Sequence, residues 1–277
     1  LVNQVLSHSG FQTIERSWQG VTWLTSELDL DEQAGLWLLP VDLGVLLTAG
    51  SSRGSAAEFE AGFAALQAAL QKMVAGIDGG TLRAIGVDGS FETPESIGVL
   101  AGLAELARGL SCILLTKAPA GLTEANSTLQ LDAGYPPHDE TLQQVWQTFR
   151  DQPAARHCAA VLPRLMRRLP YGANGEATYL PGFEELEPAP EHRQFPWINP
   201  VYGLIYLMAR EPAAEDLTIT DLPMPVFDDG SGSSIMPCAE AYLSEAETAD
   251  LQANGIMVFQ SYRNRNAVKL SGLFTLS

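Results

Sequence analysis

Leu82-Arg83-Ala84-Ile85-Gly86-Val87-Asp88-Gly89, followed by Thr93-Pro94-Glu95 and then Cys112-Ile113-Leu114-Leu115-Thr116, is the stretch whose reading decides the fold. Residues 82–87 form a short β-like run that stops at Asp88-Gly89, a turn signal. Thr93 is a good helix cap, and Pro94 suits the first helical turn, where a missing N–H costs nothing. The helix they open runs to about Leu110, and 112–116 follow as a second apolar strand. Strand, helix and strand in such close succession indicate an α/β layout with a partly parallel sheet.

Working outward toward the N-terminus, residues 56–75 read as a helix with Phe59, Phe63, Leu66, Leu70 and Val74 on one face. Leu36-Trp37-Leu38-Leu39-Pro40 reads as a buried strand, and 41–49 as its continuation or a second strand. Residues 1–28 read as an amphipathic helix whose stripe is Val5, Phe11, Ile14, Trp18, Val21 and Leu24, with Glu15 and Arg16 off it. Toward the C-terminus, helices are expected over 141–152, 154–169 and 201–210. Pro170 and Gly172 stop the second of these. Short β runs at 217–220 and 224–227 lead to a turn at Asp228-Asp229-Gly230. Ser244 caps a short helix with Glu247 at the capping-box position, and Gly255 ends it. Strands at 256–262 and 267–275 close the chain. The reading is a mixed α/β fold: an N-terminal domain over 1–171, an irregular Pro- and Gly-rich connection over 172–200, and a C-terminal α/β domain over 201–277.

The 277 residues are 46% apolar and can bury a sizeable core. The net charge of −17, from 33 acidic and 16 basic residues, argues against nucleic acid as a partner, because phosphate binding needs clustered Lys and Arg. A basic protein surface is the natural counterpart. Cys112, Cys158 and Cys238 are too few and too widely spaced for a disulfide framework, so a reducing, cytoplasmic setting is expected. The apolar run near 36–47 is too short and too polar for a membrane span. Leu1 is not Met, so the natural start is expected to be missing.

Chemistry is sparse. Gly50-Ser51-Ser52-Arg53-Gly54-Ser55 lacks the Lys-Ser/Thr ending of a phosphate loop. No Gly-x-Ser-x-Gly elbow accompanies His8, His138, His157 or His192, and Gly230-Ser231-Gly232-Ser233-Ser234 sits in a polar turn. His157 and Cys158 are adjacent and, on a helix, diverge too far to form a dyad. No His/Cys pair has metal-ligand spacing, and Asp228-Asp229 is not a calcium loop. No catalytic residue, metal or cofactor is therefore expected.

The unusual feature in so acidic a chain is Leu162-Pro163-Arg164-Leu165-Met166-Arg167-Arg168-Leu169-Pro170-Tyr171-Gly172, followed by Phe183-Glu184-Glu185. On a helix, Arg164, Arg167 and Arg168 make a basic stripe. They serve either as a solvated face, as partners of Glu184-Glu185-x-Glu187 within the fold, or as contacts to carboxylates of a neighbouring subunit.

Several segments resemble, in order, the large subunit of the type VI secretion contractile sheath (TssC/VipB-like). Near the start, Phe11-Gln12-Thr13-Ile14-Glu15-Arg16-Ser17-Trp18-Gln19-Gly20 looks like that family's Phe-Gln, Leu-Glu and Ser-Trp-Arg-Gly helix, with Gln19 where Arg is usual. Gly86-Val87-Asp88-Gly89-Ser90-Phe91 resembles its Gly-Asp-Tyr-x-Phe segment. Phe149-Arg150, the 162–172 run, Phe183-Glu184-Glu185, Trp197-Ile198-Asn199-Pro200-Val201-Tyr202, Leu222-Pro223 and Pro237-Cys238-Ala239-Glu240 follow in family order. The chain looks shorter than such subunits, and the glycine-rich segment expected before Leu222 is nearly absent; regions outside this sequence, a compact variant or a minor paralogue at the baseplate or tip would each account for it.

The resemblance implies a structural, non-catalytic subunit of a cytoplasmic assembly anchored at the cell envelope. The implied partners are a small sheath subunit (TssB/VipA-like), an inner-tube protein (Hcp-like), an AAA+ unfoldase (ClpV-like) for recycling, and further copies of the chain. Strand exchange between subunits, with the C-terminal strand free to complete a neighbour's sheet, makes Val268, Leu270 and Phe274 interface candidates. Arg164, Arg167, Arg168, Glu184 and Glu185 are the others. Rival readings are an adaptor or baseplate paralogue of the same fold, and a small α/β enzyme with a site at strand ends.

Overall fold

The computed structural model describes residues 5–6, 8–28, 30, 35–50, 55–77, 81–122, 136–172, 175–177, 182–186, 194–210, 216–228 and 233–277. The stretch that decides the fold behaves as read. Strand β1 (Ala84–Val87) leads through a helix (Pro94–Gly109) to β2 (Ile113–Lys117), in parallel register with Ala84 opposite Ile113. A second crossover, through Glu140–Arg150, places β3 (Cys158–Leu162) parallel to β2, with Leu114 opposite Cys158.

Counting from the N-terminus, the helices among the described residues are α1 (Ser9–Glu27), α2 (Leu43–Ala49), α3 (Ala56–Ala75), α4 (Pro94–Gly109), α5 (Glu140–Arg150), α6 (Val201–Ala209) and α7 (Glu245–Ala253). The remaining strands are β4 (Leu165–Met166), β5 (Trp197–Ile198), β6 (Thr218–Ile219), β7 (Val226–Asp228), β8 (Ser233–Ile235), β9 (Ile256–Ser261) and β10 (Val268–Leu270). The main sheet runs β1-β2-β3-β9-β10-β6, parallel up to β9 and antiparallel from there. Two antiparallel pairs, β4–β5 and β7–β8, lie beside it.

Alternation along the strands builds two cores. Cys158, Ala160 and Leu162 of β3, with Ile256 and Val258 of β9, face Leu46, Leu100, Trp146 and Leu251 of α2, α4, α5 and α7. Ala159 and Val161, with Met257 and Phe259, face Trp23 and Leu24 of α1 and Leu204 and Leu207 of α6. Strands covered on both faces read as unbroken apolar runs, which is the reason β3 escapes periodicity. Strands from both sides of 172–200 share this sheet, so that connection links parts of one layered unit.

Four expectations need correction. Residues 154–169 are not a helix: a 3₁₀ turn (Pro153–His157) leads into buried β3, and after Leu162-Pro163 comes β4. Cys-Ala-Ala-Val-Leu is short enough for a strand, and sheet packing overrides the helical preference of its alanines. Residues 36–40 form no strand and leave Trp37 and Leu38 exposed. Residues 41–49 are mostly α2, because the Asp42 carboxylate caps the N–H groups of Gly44 and Val45. The closing strand is only Val268–Leu270. β9 and β6 pair with its two edges within the chain.

Candidate functional site

The arginine run leaves β3 and weaves past the ends of other elements, so its three guanidinium groups diverge to three carboxylate sets. Leu165 and Met166 are fully buried between them. Arg164 turns toward Glu240, whose side chain has no solvent exposure. The Arg164 Nε donates to both Glu240 carboxylate oxygens at 2.9 Å, and a terminal nitrogen donates as well. The backbones close the arrangement, with Glu240 N–H donating to Arg164 O at 2.9 Å. Such a fork-on-carboxylate pairing uses the planar geometry that distinguishes Arg from Lys.

Arg168 joins three segments. It donates from Nε and a terminal nitrogen to Glu15 Oε1 of α1, at 3.0 and 2.7 Å. Its two terminal nitrogens reach Glu185 at 2.7 and 2.8 Å. Its guanidinium also lies 4.4 Å from the centre of the Tyr171 ring. Glu185 in turn accepts from Tyr171 N–H at 2.7 Å and donates its own N–H to Tyr171 O at 2.9 Å. Burial alone lowers the Arg168 pKa, but the Glu185 and Glu15 carboxylates outweigh it and raise the pKa above its ordinary value.

Arg167 is held more loosely. It lies 3.6 Å from the exposed Glu27 and stacks 5.4 Å from the Trp23 ring centre. Glu184 is exposed beside Gly172, where φ is +152° and an added Cβ would stand 2.0 Å from Glu184 Oε2. Only glycine fits there. Glu187 lies outside the described residues. All three arginines meet carboxylates of their own chain.

Partners that sequence reasoning missed are Glu15, Arg16, Glu27 and Glu240. Arg16 reaches Gln12 Oε1 and Phe195 O at 3.4 Å. Burial and the neighbouring Arg164 charge lower its pKa. The available signal was positional, since Glu15-Arg16 and Glu240 both stand within segments of the family pattern. A smaller polar knot ties α1 to the sheet: Tyr202 O–H donates to Asp88 at 2.8 Å, and Ser17 O–H donates to the same oxygen.

Val268 and Leu270 are in the inner core against β9, and Phe274 packs partly buried at its margin. His157 Nδ1 meets Cys112 O at 3.1 Å, and the Cys158 thiol is fully buried with its pKa pushed up by burial. Apart from the network, Lys117 at the end of β2 pairs with Glu92, which also accepts from Ser90 O–H at 2.7 Å and Ala120 N–H at 2.9 Å. An open groove of about 890 Å³ runs beside α1, bounded by Trp18 and Trp23 on one side and Pro223 and Met224 on the other.

The arrangement is a structural clamp: charges neutralise one another across α1, the β3–β4 connection, the 183–186 segment and the 237–240 segment. It defines a structural α/β module whose motif residues converge on a tie. That class has a family. The VipB tail sheath N-terminal domain (EvpB/VC_A0108) matches residues 1–276, and the chain belongs to it. The type VI secretion system sheath protein TssC1 of Pseudomonas aeruginosa is 23% identical over 297 aligned residues, covering 99% of this chain and 58% of that protein. The chain thus spans little more than half the length of this curated relative. No described helix is long and apolar enough to cross a membrane.

Proposed function

We propose that the chain is a structural subunit of a contractile type VI secretion sheath, assembling in the cytoplasm with a small sheath subunit around an inner tube. In this reading contraction drives the tube outward, and an AAA+ unfoldase recycles the spent sheath. The observation that carries it is the convergence of the family segments on a buried ion-pair tie: the residues typical of the family stabilise the subunit's shape, which is what a lattice component needs. Arg164, Arg168 and Glu185 act within the subunit, whereas loosely held Arg167, 3.6 Å from an exposed carboxylate, is the better placed of the run to meet a neighbour. Val268 and Leu270 support the lattice through the integrity of the sheet.

The test is negative-stain microscopy of the chain co-expressed with its cognate small sheath subunit. Long hollow tubes support the sheath reading. Discrete particles indicate the adaptor, and neither tubes nor a complex overturns both.

A further inference from the structure

Strands β1, β2, β3 and β9 run parallel, so the segments that follow them all emerge at one edge of the sheet. That edge is unevenly charged. At its far side β9 turns into β10 through Tyr262-Arg263-Asn264-Arg265-Asn266, all five exposed. Arg263 and Arg265 make no ion pair among the described residues. The turn itself is braced. Arg265 N–H donates to Tyr262 O at 3.3 Å, and Asn266 O accepts from Leu222 N–H at 3.0 Å. Asn264 takes a left-handed φ of 57°, which Asn tolerates better than most residues. Two guanidinium groups therefore project from a fixed backbone, so little freedom is lost when they meet a partner.

At the β1–β2 side of the same edge the charge reverses. A pocket of about 380 Å³ opens where the segments after β1 and β2 meet the start of α5. Glu92, Asp139 and Glu140 line it, together with exposed Pro136 and Pro137. Glu92 is committed to Lys117, and Asp139 to the N–H groups of Thr141 and Leu142. Glu140 is exposed and has no cation in ion-pair range among the described residues. His138 adds a buried Nδ1 that has no hydrogen-bond partner among them. The pocket thus wants a cation and a donor, and the β9–β10 tip has both to spare.

Tip and pocket share one edge with β3 between them. A second copy, turned by 180° about an axis through that edge, sets the tip of each chain against the pocket of the other. One contact is then made twice and the pair closes. We infer that the chain forms a two-fold dimer through this edge, each copy placing Arg263 and Arg265 against the Glu140 pocket of the other. A tube that pushes in one direction needs all its copies pointing alike, so this head-on pair is a form of the chain outside any such tube. Repulsion between two chains of −17 keeps it in the weak, transient class.

The pair needs no other protein, so its test stands apart from the sheath reading. The full chain alone would be followed over a concentration series by analytical ultracentrifugation. Salt is a poor probe, because it screens the net repulsion along with the local attraction. Charge exchange separates the two. Arg263→Glu with Arg265→Glu is expected to raise the dimer Kd by about tenfold or more, and Glu140→Lys to raise it in the same direction. Urea midpoints should stay near wild type, since all three positions are exposed. A mixture of these two variants restores opposite charges at both contacts and is expected to associate where neither does alone.

A wild-type chain that stays monomeric throughout the series overturns the inference. A dimer that survives Arg263→Glu with Arg265→Glu overturns it as well. Loss of association in both variants without recovery in their mixture places tip and pocket in separate contacts and overturns their pairing. Each of these outcomes leaves the sheath reading as it stands.

Discussion

The two sides of α1 differ from those of an ordinary surface helix, because large apolar residues stand on both and a charge cluster joins them on the inner side. Toward the sheet it offers Glu15, Arg16, Gly20, Trp23 and Leu24; away from it, Phe11, Ile14 and Trp18. An amphipathic helix normally turns its apolar stripe inward. Here the inner side is mixed, with two large apolar residues and a charge cluster, and the outer side is left apolar. Orientation is therefore fixed by matched charges, which are directional, and not by greasy area alone.

The largest expected effect lies on the charged side. Glu240→Ala leaves the partly buried Arg164 without its carboxylate and is expected to cost about 3–5 kcal/mol, read from urea midpoints. The comparison sharpens with the double variant Arg164→Met/Glu240→Leu, which removes both charges and should recover most of that loss. A double variant as unstable as Glu240→Ala would mean that the pair contributes directional bonds that packing cannot replace.

Next in size is Gly20→Ala, at the contact between α1 and α6. The added Cβ would stand 2.4 Å from the Tyr202 ring, whose hydroxyl is committed to Asp88. Overpacking of this kind costs about 1–3 kcal/mol. A change to alanine at an outward position, Thr22→Ala, should be near neutral by the same urea measurement, because Thr22 is exposed.

Much of this architecture was legible in the chain, for physical reasons. The β1–α4–β2 crossover is bounded by a turn signal, a Thr cap and Pro at the first turn, so local chemistry alone delimits it. Helix α7 carries a capping box that sequence spacing reveals. The 154–169 segment failed because a strand buried on both faces lacks alternation, and its alanines and leucines suit a helix equally well. The outward turn of Phe11, Ile14 and Trp18 was hidden because periodicity identifies a stripe but not which side meets the core. The Arg164–Glu240 pair spans 76 residues, a separation that no local pattern encodes.

The Lys117–Glu92 pair offers a gentler test of buried charge, through pH. Burial pushes the Glu92 carboxyl up, but the Lys117 ammonium, the Ser90 hydroxyl and the Ala120 N–H outweigh it and hold it below the usual carboxylate range. With the folded pKa below the unfolded one, the stabilisation is complete above the unfolded carboxylate pKa and is lost as pH falls through the folded value. Glu92→Gln should therefore lower stability near neutrality yet flatten the decline on acidification. Urea midpoints followed from pH 7 into the acid range check this, and parallel curves for variant and wild type would assign the acid sensitivity to other carboxylates.

The smallest effect is expected at Arg167, where the two sides of α1 meet. It neighbours Arg168 in sequence, yet its carboxylate partner is at 3.6 Å and 45% exposed, against the 2.7 Å contacts of Arg168 with two shielded carboxylates. Exposed pairs contribute roughly 0–1 kcal/mol because water and salt screen them. Arg167→Ala should therefore shift the urea midpoint slightly, chiefly through lost stacking on Trp23, and the shift should change little between low and high salt. Arg168→Lys, by contrast, keeps the charge but loses the fork that spans Glu15 and Glu185, and should cost about 1–3 kcal/mol. If the two variants proved equally mild, charge alone would hold α1 and the fork geometry would be incidental. If Arg167→Ala proved the costlier, the Trp23 stack and not the buried tie would be what orients the helix, and its apolar outer face would be set by packing after all.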